Sequence, residues 1–186
     1  MMDEIDHQYL LSLGFDNARI VDPDKTLRQL RSASDKAQVQ LLKATLVAGP
    51  EHLRFAARNA IHSFRSKSPR SKSLAVEFLL YVSCQRQISK AIRLLGVEPA
   101  DRQVVLVALS ESKEAIQELE RVSRSLLGNP DDSLVEIGSK RKLADIQRSY
   151  GVSKREMEAV RFEGENDSDV LKRLIVERSA LLDVQD

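Results

Sequence analysis

The chain has 186 residues and a mass of 20.9 kDa; 42% of its residues are hydrophobic and 31% are charged. This length suits a single domain, and the share of apolar residues excludes intrinsic disorder as the main state. The apolar runs are far shorter than the roughly 20 residues of a membrane-spanning helix, so we expect no membrane contact. With Cys84 as the one cysteine and no N-terminal secretion signal, we expect a cytoplasmic location, or a nuclear one in a eukaryote.

The first part of the chain predicts two strands, a helix and a loop. Residues 18–22 and 39–47 are rich in β-branched and aliphatic side chains, which favours strands. Pro50 suits the first position of a helix, and an apolar stripe at helical spacing continues from there to residue 64. Residues 66–73, with the sequence SKSPRSKS, predict a loop.

The middle of the chain predicts more helix than strand. The apolar run LAVEFLLYV at residues 74–82 could be a buried strand, but the charged Glu77 inside it and the helical spacing that follows favour two helices. The second of these helices ends at Gly96. Residues 103–109 are the clearest strand, and residues 112–127 predict an amphipathic helix.

The last part of the chain predicts a helix pair and a final helix. A short strand is possible at residues 134–137, and Ser153 with Glu156 forms a capping box that opens the second helix of the pair. A polar linker at residues 163–169 precedes the final helix. Because strands and helices do not alternate regularly, we expect an α+β fold, a single domain in which a small, mainly antiparallel sheet packs with several helices.

The formal net charge of +1 hides a strong polarisation along the chain. Residues 51–96 contain nine Lys or Arg and two acidic residues, a local charge of +7, and the rest of the chain carries −6. Helical spacing places the first cations along one stripe, and the loop at residues 66–73 adds more. We therefore expect a nucleic-acid surface; the alternative is a set of solvated helix faces that happen to be basic. The candidate residues are Arg54, Arg58, His62, Arg65, Lys67, Arg70, Lys72, Arg86 and Lys90.

No catalytic motif or metal-ligand spacing is present, so we expect neither a catalytic residue, nor a metal, nor a cofactor. Cys84 follows an apolar run, which favours a buried structural thiol. Glu77 needs a partner inside its apolar helix, and an ion pair with an arginine is the favoured explanation. The final helix has an apolar face that either completes the core or binds a partner protein. The candidate partner-binding residues are Leu171, Leu174, Ile175, Leu181 and Leu182.

A family resemblance rests on three pieces of sequence. One is VQLLKATLVAGPEHLRFAARNAIHSF, which begins at Val39; another is SLAVEFLLYVSCQRQISKAIRLLGV, which contains Glu77 and the phrase Arg86-Gln87-Ile88; the third is the ending IVERSALLD. Together they resemble the small, TPRKB-like accessory subunits of the KEOPS complex. The resemblance runs from about residue 39 to residue 183, whereas residues 1–35 match the family little.

The resemblance implies a non-catalytic subunit of the machinery that makes threonylcarbamoyladenosine next to the anticodon of tRNA. Such subunits bind the kinase-like ATPase subunit of the complex, and archaeal members are implicated in recruiting tRNA by its 3′ CCA end. No small-molecule substrate is implied. The alternatives are a purely protein-interaction regulator of the kinase-like subunit that does not bind tRNA and, less favoured, a helix-turn-helix DNA-binding protein that uses the helix pair after residue 139.

Overall fold

A four-stranded antiparallel sheet organises the computed structural model, which describes residues 1–66 and 69–183. The strands are Met2–Ile5 (β1), Gln8–Phe15 (β2), Gln38–Lys43 (β3) and Val104–Ser110 (β4), in the spatial order β1-β2-β4-β3. The α-helices in the described residues are Pro23–Arg31 (α1), Pro50–Arg65 (α2), Leu74–Ser83 (α3), Ile88–Leu95 (α4), Lys113–Leu127 (α5), Lys140–Ser149 (α6), Lys154–Val160 (α7) and Asp167–Ala180 (α8). The α+β class with a small antiparallel sheet is confirmed.

Helices cover both faces of the sheet. Strand β4 is buried at every position, and its side chains alternate between the two faces. Val105, Val107 and Leu109 join the larger apolar cluster, which α2, α3 and α8 help to build, while Leu106 and Ala108 join a second cluster with α1 and α5. The two-sided cover explains why β4 reads as an unbroken apolar run in the sequence.

The hairpin of β1 and β2 was not predicted from the sequence. Its two turn residues, Asp6 and His7, both have positive φ, at 49° and 63°. Tight hairpin turns with two positive φ values usually carry Asn-Gly or a similar pair. The pair Asp6-His7 therefore gives no turn signal in the sequence. Strand β2 pairs with β4 along its whole length, from Tyr9 opposite Ser110 to Phe15 opposite Val104.

Two predicted strands are wrong, and the predicted helices are confirmed. Residues 18–22 form an irregular segment, in which the Ala18 N–H donates to the Arg102 carbonyl and which α1 follows directly at Pro23. Residues 134–137 are also no strand: the 3-10 turn Asp132–Val135 forms there, begun by Asp131, whose side chain accepts from the Ser133 N–H. Strand β3 is shorter than predicted, since the chain turns into a 3-10 helix at Ala44–Leu46.

The apolar face of α8 completes the core. Leu171, Leu174, Ile175 and Leu182 are buried in the larger cluster, so the expectation of a partner surface at these four residues is corrected: their apolar contacts are made inside the folded chain. Leu181, in the turn Leu181–Asp183 after α8, is 45% exposed. None of the helices in the described residues is long and apolar enough to cross a membrane.

Candidate functional site

The basic stripe predicted on α2 is present, and it runs beside the N-terminal hairpin. Arg58, His62 and Arg65 are exposed on this helix. The guanidinium of Arg65 also donates to the backbone carbonyl of Asp6 in the hairpin turn. Arg58 and His62 therefore share their stripe with Arg65, whose guanidinium already has a hydrogen-bond partner within the chain.

Arg54, at the start of the stripe, is bound to acidic side chains. Its Nε donates to Oδ2 of Asp3 on β1 at 3.1 Å, and its Nη1 pairs with Glu51. The hydrogen bond to Asp3 raises the pKa of Arg54 above its ordinary value. Because two carboxylates neutralise this cation, it is less available to a polyanion than Arg58 is.

Glu77 fixes the backbone of the basic loop at Arg70 and Ser71. This side chain is fully buried, and its Oε1 accepts from the Ser63 hydroxyl at 3.0 Å and from the backbone N–H of Arg70 at 3.2 Å. Its Oε2 accepts from the backbone N–H of Ser71 at 2.8 Å. These partners are a hydroxyl and two backbone amides, a kind of partner that the sequence did not indicate. They hold the part of the loop that directly precedes α3.

The basic side chains of the loop point in different directions. Lys72 is exposed to solvent, whereas the Nη2 of Arg70 donates to the backbone carbonyl of Leu182 at 2.8 Å. Lys67 lies outside the described residues. The loop therefore joins the basic segment to the turn after α8, through Arg70.

A left-handed residue ends α3 and begins the next basic group. Cys84 has a φ of +52°, and its N–H donates to the Tyr81 carbonyl. The chain then leads to Arg86 and to Lys90 on α4, both exposed. Helix α4 packs on α3, which also contacts α2. Among the described residues, the predicted cations thus form two groups: one on α2 beside the N-terminal hairpin and one at the junction of α3 and α4. Arg70 and Lys72 lie on the loop between α2 and α3.

Arg178 belongs to the second group and was missed in the sequence. This residue of α8 lines the same cleft as Arg86, although 92 residues separate them in the chain. Its Nη2 pairs with Oε1 of Glu156 on α7 at 2.7 Å. No local pattern could reveal this proximity, because it depends on how α8 packs against α3.

A buried polar network joins α2, α3 and α6. The Nδ1 of His52 accepts from the Ala48 N–H at 3.2 Å, so its Nε2 carries the proton that is donated to the Val82 carbonyl at 2.8 Å. The Tyr150 hydroxyl donates to the same carbonyl at 2.9 Å. Burial lowers the pKa of His52 to about 4, so the ring is neutral at pH 7. The network stabilises the helix packing around the second basic group.

The chemistry of the described side chains suits binding more than catalysis. Burial raises the pKa of the Cys84 thiol to about 12, which keeps it protonated and unreactive near neutral pH. In residues 1–66 and 69–183, no group of three or more His, Cys, Asp or Glu side chains is placed to hold a metal ion. What the basic groups can do is bind anions.

Comparisons with known proteins place the chain in a family. A family model described as "Kinase binding protein CGI-121" matches residues 18–183. A stretch of 98 residues, 53% of this chain, is 34% identical to the "Regulatory protein Cgi121" of Methanocaldococcus jannaschii and spans 60% of that protein's length. The family match covers most of the chain and begins further towards the N-terminus than the resemblance noted in the sequence. The chain therefore belongs to the CGI-121 family of kinase-binding proteins, and its resemblance to the small KEOPS accessory subunits is confirmed.

Proposed function

We propose that this chain is a non-catalytic accessory subunit of a KEOPS complex, which binds the kinase-like ATPase subunit and recruits tRNA by its 3′ CCA end for threonylcarbamoyladenosine synthesis. The observation that carries the proposal is the match of residues 18–183 to the kinase-binding family. The name of the M. jannaschii relative, a regulatory protein, supports an accessory role. Cytoplasmic localisation, or nuclear localisation in a eukaryote, is part of the same proposal.

The tRNA part of the proposal is supported by the two basic groups. Exposed cations lie on α2, in the following loop and at the junction of α3 and α4, so a phosphate backbone could pass from one group to the other. The residues that we propose as tRNA contacts are Arg58, His62, Arg65, Arg70, Lys72, Arg86 and Lys90, with Lys67 and Arg54 as further candidates. A single-stranded end suits such a surface, because its phosphates and unstacked bases are accessible.

Binding of tRNA by the full chain tests this part. We expect the affinity to fall about a hundred- to a thousandfold between about 50 and about 200 mM salt, since counterions are released. Removing the CCA end should weaken binding strongly. Arg58→Gln and Lys72→Gln should also weaken it, whereas Arg121→Gln on α5, an equal charge change on the other side of the sheet, should not. Equal affinity for intact and trimmed tRNA would contradict recruitment by the CCA end.

The kinase-like subunit is proposed to contact the exposed end of α8. Leu181 is the member of the predicted partner-binding set that remains 45% exposed. Leu181→Asp should lower the amount of kinase-like subunit that co-purifies with the chain. The matched control is Leu126→Asp, at a residue of α5 that is 41% exposed. Equal co-purification by both variants would place the contact elsewhere on the chain.

A second candidate function is a regulator that binds the kinase-like subunit without tRNA. The observation that favours it is the use of Arg54 and Arg65 as structural contacts to the N-terminal hairpin. In that case the chain would retain the kinase-like subunit but no tRNA above background, and neutralising Arg58 and Lys72 would change neither result. Loss of tRNA binding with partner binding retained would instead favour the first candidate.

A further inference from the structure

A cavity of about 410 Å³ is lined by the 3-10 turn Asp132–Val135 and the start of α6. Lys142 lines it, next to the small residues Gly138 and Ser139. Gly138 and Ser139 are exposed, so a small molecule can reach the cavity from solvent. The cavity thus brings an amine, a potential nucleophile, within reach of dissolved reagents.

Both ends of Lys142 are held in place. Its backbone N–H donates to the hydroxyl of Ser139, the residue that caps α6, at 3.1 Å. Its Nζ donates to the backbone carbonyl of Leu134 at 2.6 Å, and Leu134 lines the same cavity. This bond occupies one N–H of the amine and leaves the lone pair of the neutral form available.

The carboxylates around the cavity are paired with other cations. Glu136 pairs with Lys172 on α8 at 2.9 Å. Asp145 pairs with Arg148 at 3.3 Å. Among the described residues, no Asp or Glu forms an ion pair with Lys142, whose hydrogen bond goes to a neutral carbonyl. The charged form of this amine is therefore not fixed by a salt bridge.

The surroundings favour the neutral amine. Burial lowers the pKa of Lys142 from 10.5 to about 8; Glu136 opposes this change, and the charge of Lys172 adds to it. The 3-10 helix Ala44–Leu46, which packs on α6, has no charged side chain, and burial keeps His52 neutral at pH 7. At pH 7.5 about one quarter of the Lys142 amines are therefore neutral, against about one in a thousand for an ordinary lysine.

We propose that Lys142 is a modification site, acylated on Nζ by a small acyl phosphate that enters this cavity. Arg141, also in the cavity wall, has a side chain that is 93% exposed and lies 3.9 Å from Asp145. Its guanidinium is placed to meet the phosphate of the donor, an anion that arginine binds well. The inference does not rest on the proposed function.

The acylation step needs no reagent other than the acyl phosphate. The lone pair of the neutral amine attacks the acyl carbon, and a C–N bond forms. The C–O bond to the phosphate breaks, the phosphate leaves with the electron pair, and the nitrogen gives one proton to water. The product is an amide without charge, so modification removes a cation beside Lys172.

Treating the full chain with a limiting amount of acetyl phosphate tests the site, with the rate at each lysine followed by mass spectrometry. At pH 7.5 we expect Lys142 to be acetylated about ten- to thirtyfold faster than the exposed Lys140 and Lys154. The rate at Lys142 should level off above about pH 8, whereas that of an ordinary lysine rises to about pH 10. Rates at Lys142 no higher than at Lys140 and Lys154 would overturn the proposal.

Two variants should change the rate at Lys142 in opposite directions, which partial unfolding cannot produce. Glu136→Gln removes the carboxylate that favours the ammonium and should raise the rate at pH 7 about threefold. Lys172→Met removes the opposing cation and frees Glu136, so the rate should fall by about the same factor. The matched controls are Glu118→Gln and Lys113→Met on α5. Rates like those of the controls would show that these charges do not activate Lys142.

The nature of the donor is decided by two further comparisons. Arg141→Gln should slow the reaction of Lys142 with acetyl phosphate and leave that with acetic anhydride, which has no phosphate, unchanged. Equal rates for Arg141→Gln and the wild type with acetyl phosphate would overturn the phosphate contact. Faster modification by acetyl-CoA than by acetyl phosphate at equal concentration would replace the acyl phosphate with a thioester donor.

Discussion

The carboxylate of Glu77 and the backbone of Ser71 are joined by a hydrogen bond of 2.8 Å, from the Ser71 N–H to Oε2 of Glu77. The carboxylate is fully buried and also accepts from Ser63 and from the Arg70 N–H. A buried acid thus organises the most basic loop of the chain. It does so through backbone amides, so the side chains of Arg70 and Lys72 can take different directions: Arg70 donates to the Leu182 carbonyl, and Lys72 is exposed.

Glu77→Gln should destabilise the fold by about 1–3 kcal/mol, because an amide nitrogen would then face a backbone N–H and leave a buried donor unsatisfied. Urea unfolding measures the change. Glu118→Gln, at a carboxylate on the surface of α5, should alter the free energy of unfolding by less than about 0.5 kcal/mol. Trypsin should also cut Glu77→Gln faster after Arg70. Equal urea midpoints for the two variants would show that Glu77 does not anchor the loop.

The stability of the chain should fall between pH 7 and pH 5 because of His52. Burial lowers the pKa of the folded-state ring from 6.5 to about 4, so in this range the unfolded chain binds a proton that the folded chain does not. Stability is therefore fully present above pH 6.5 and is lost as the pH falls towards 4. The expected loss from this one group between pH 7 and pH 5 is about 2 kcal/mol.

Urea unfolding of His52→Gln and His62→Gln at several pH values isolates this effect. The variant at the exposed His62 should show the same fall in stability with pH as the wild type. His52→Gln should lack the loss of about 2 kcal/mol between pH 7 and pH 5 that comes from His52. The other titratable groups are common to all three proteins, so their effects cancel in the comparison. Parallel pH profiles for the two variants would contradict a neutral, buried His52.

Gly14→Ala should destabilise the chain by more than about 2 kcal/mol. A Cβ at Gly14 would lie 2.3 Å from the backbone carbonyl oxygen of Asp131 and 2.8 Å from Cβ of Leu134. The Asp131 N–H donates to the Gly14 carbonyl. The backbone of β2 is therefore in direct contact with the backbone at Asp131, and the two segments cannot easily move apart. Thermal unfolding against Gly138→Ala is the measurement, since a Cβ at Gly138 meets nothing within 4 Å. Similar midpoints would mean that the turn before α6 adjusts freely.

Cys84 should react slowly with iodoacetamide in the folded chain. Its pKa of about 12, raised by burial, reduces the thiolate at pH 8 about a thousandfold relative to an ordinary cysteine with a pKa near 9. Mass spectrometry follows the modification with time, and the urea-unfolded chain is the reference. Modification at the same rate in both states would show that the thiol is accessible and ionised.

The sequence by itself determined the helices from α2 to α8 and the polarised charge, because both depend on neighbours along the chain. Helix α1, at Pro23–Arg31, was not predicted. The apolar spacing after Pro50 predicted α2, and the capping box at Ser153 and Glu156 is present at the start of α7. The class of the fold followed from the irregular mixture of strands and helices. The family resemblance rested on Arg86 and its neighbours, which are also local in sequence.

The tertiary structure alone decided what depends on contacts between distant segments. The hairpin turn at Asp6 and His7 lacks the usual turn residues, and its strands are stabilised by pairing with β4. The apolar face of α8 could have met a partner, but burial in the core gives those leucines their contacts within the chain. The cleft that joins Arg86 to Arg178 exists because α8 returns to the end of α3. A local pattern sets helical periodicity and charge density, whereas the meeting of two side chains 92 residues apart is set by packing.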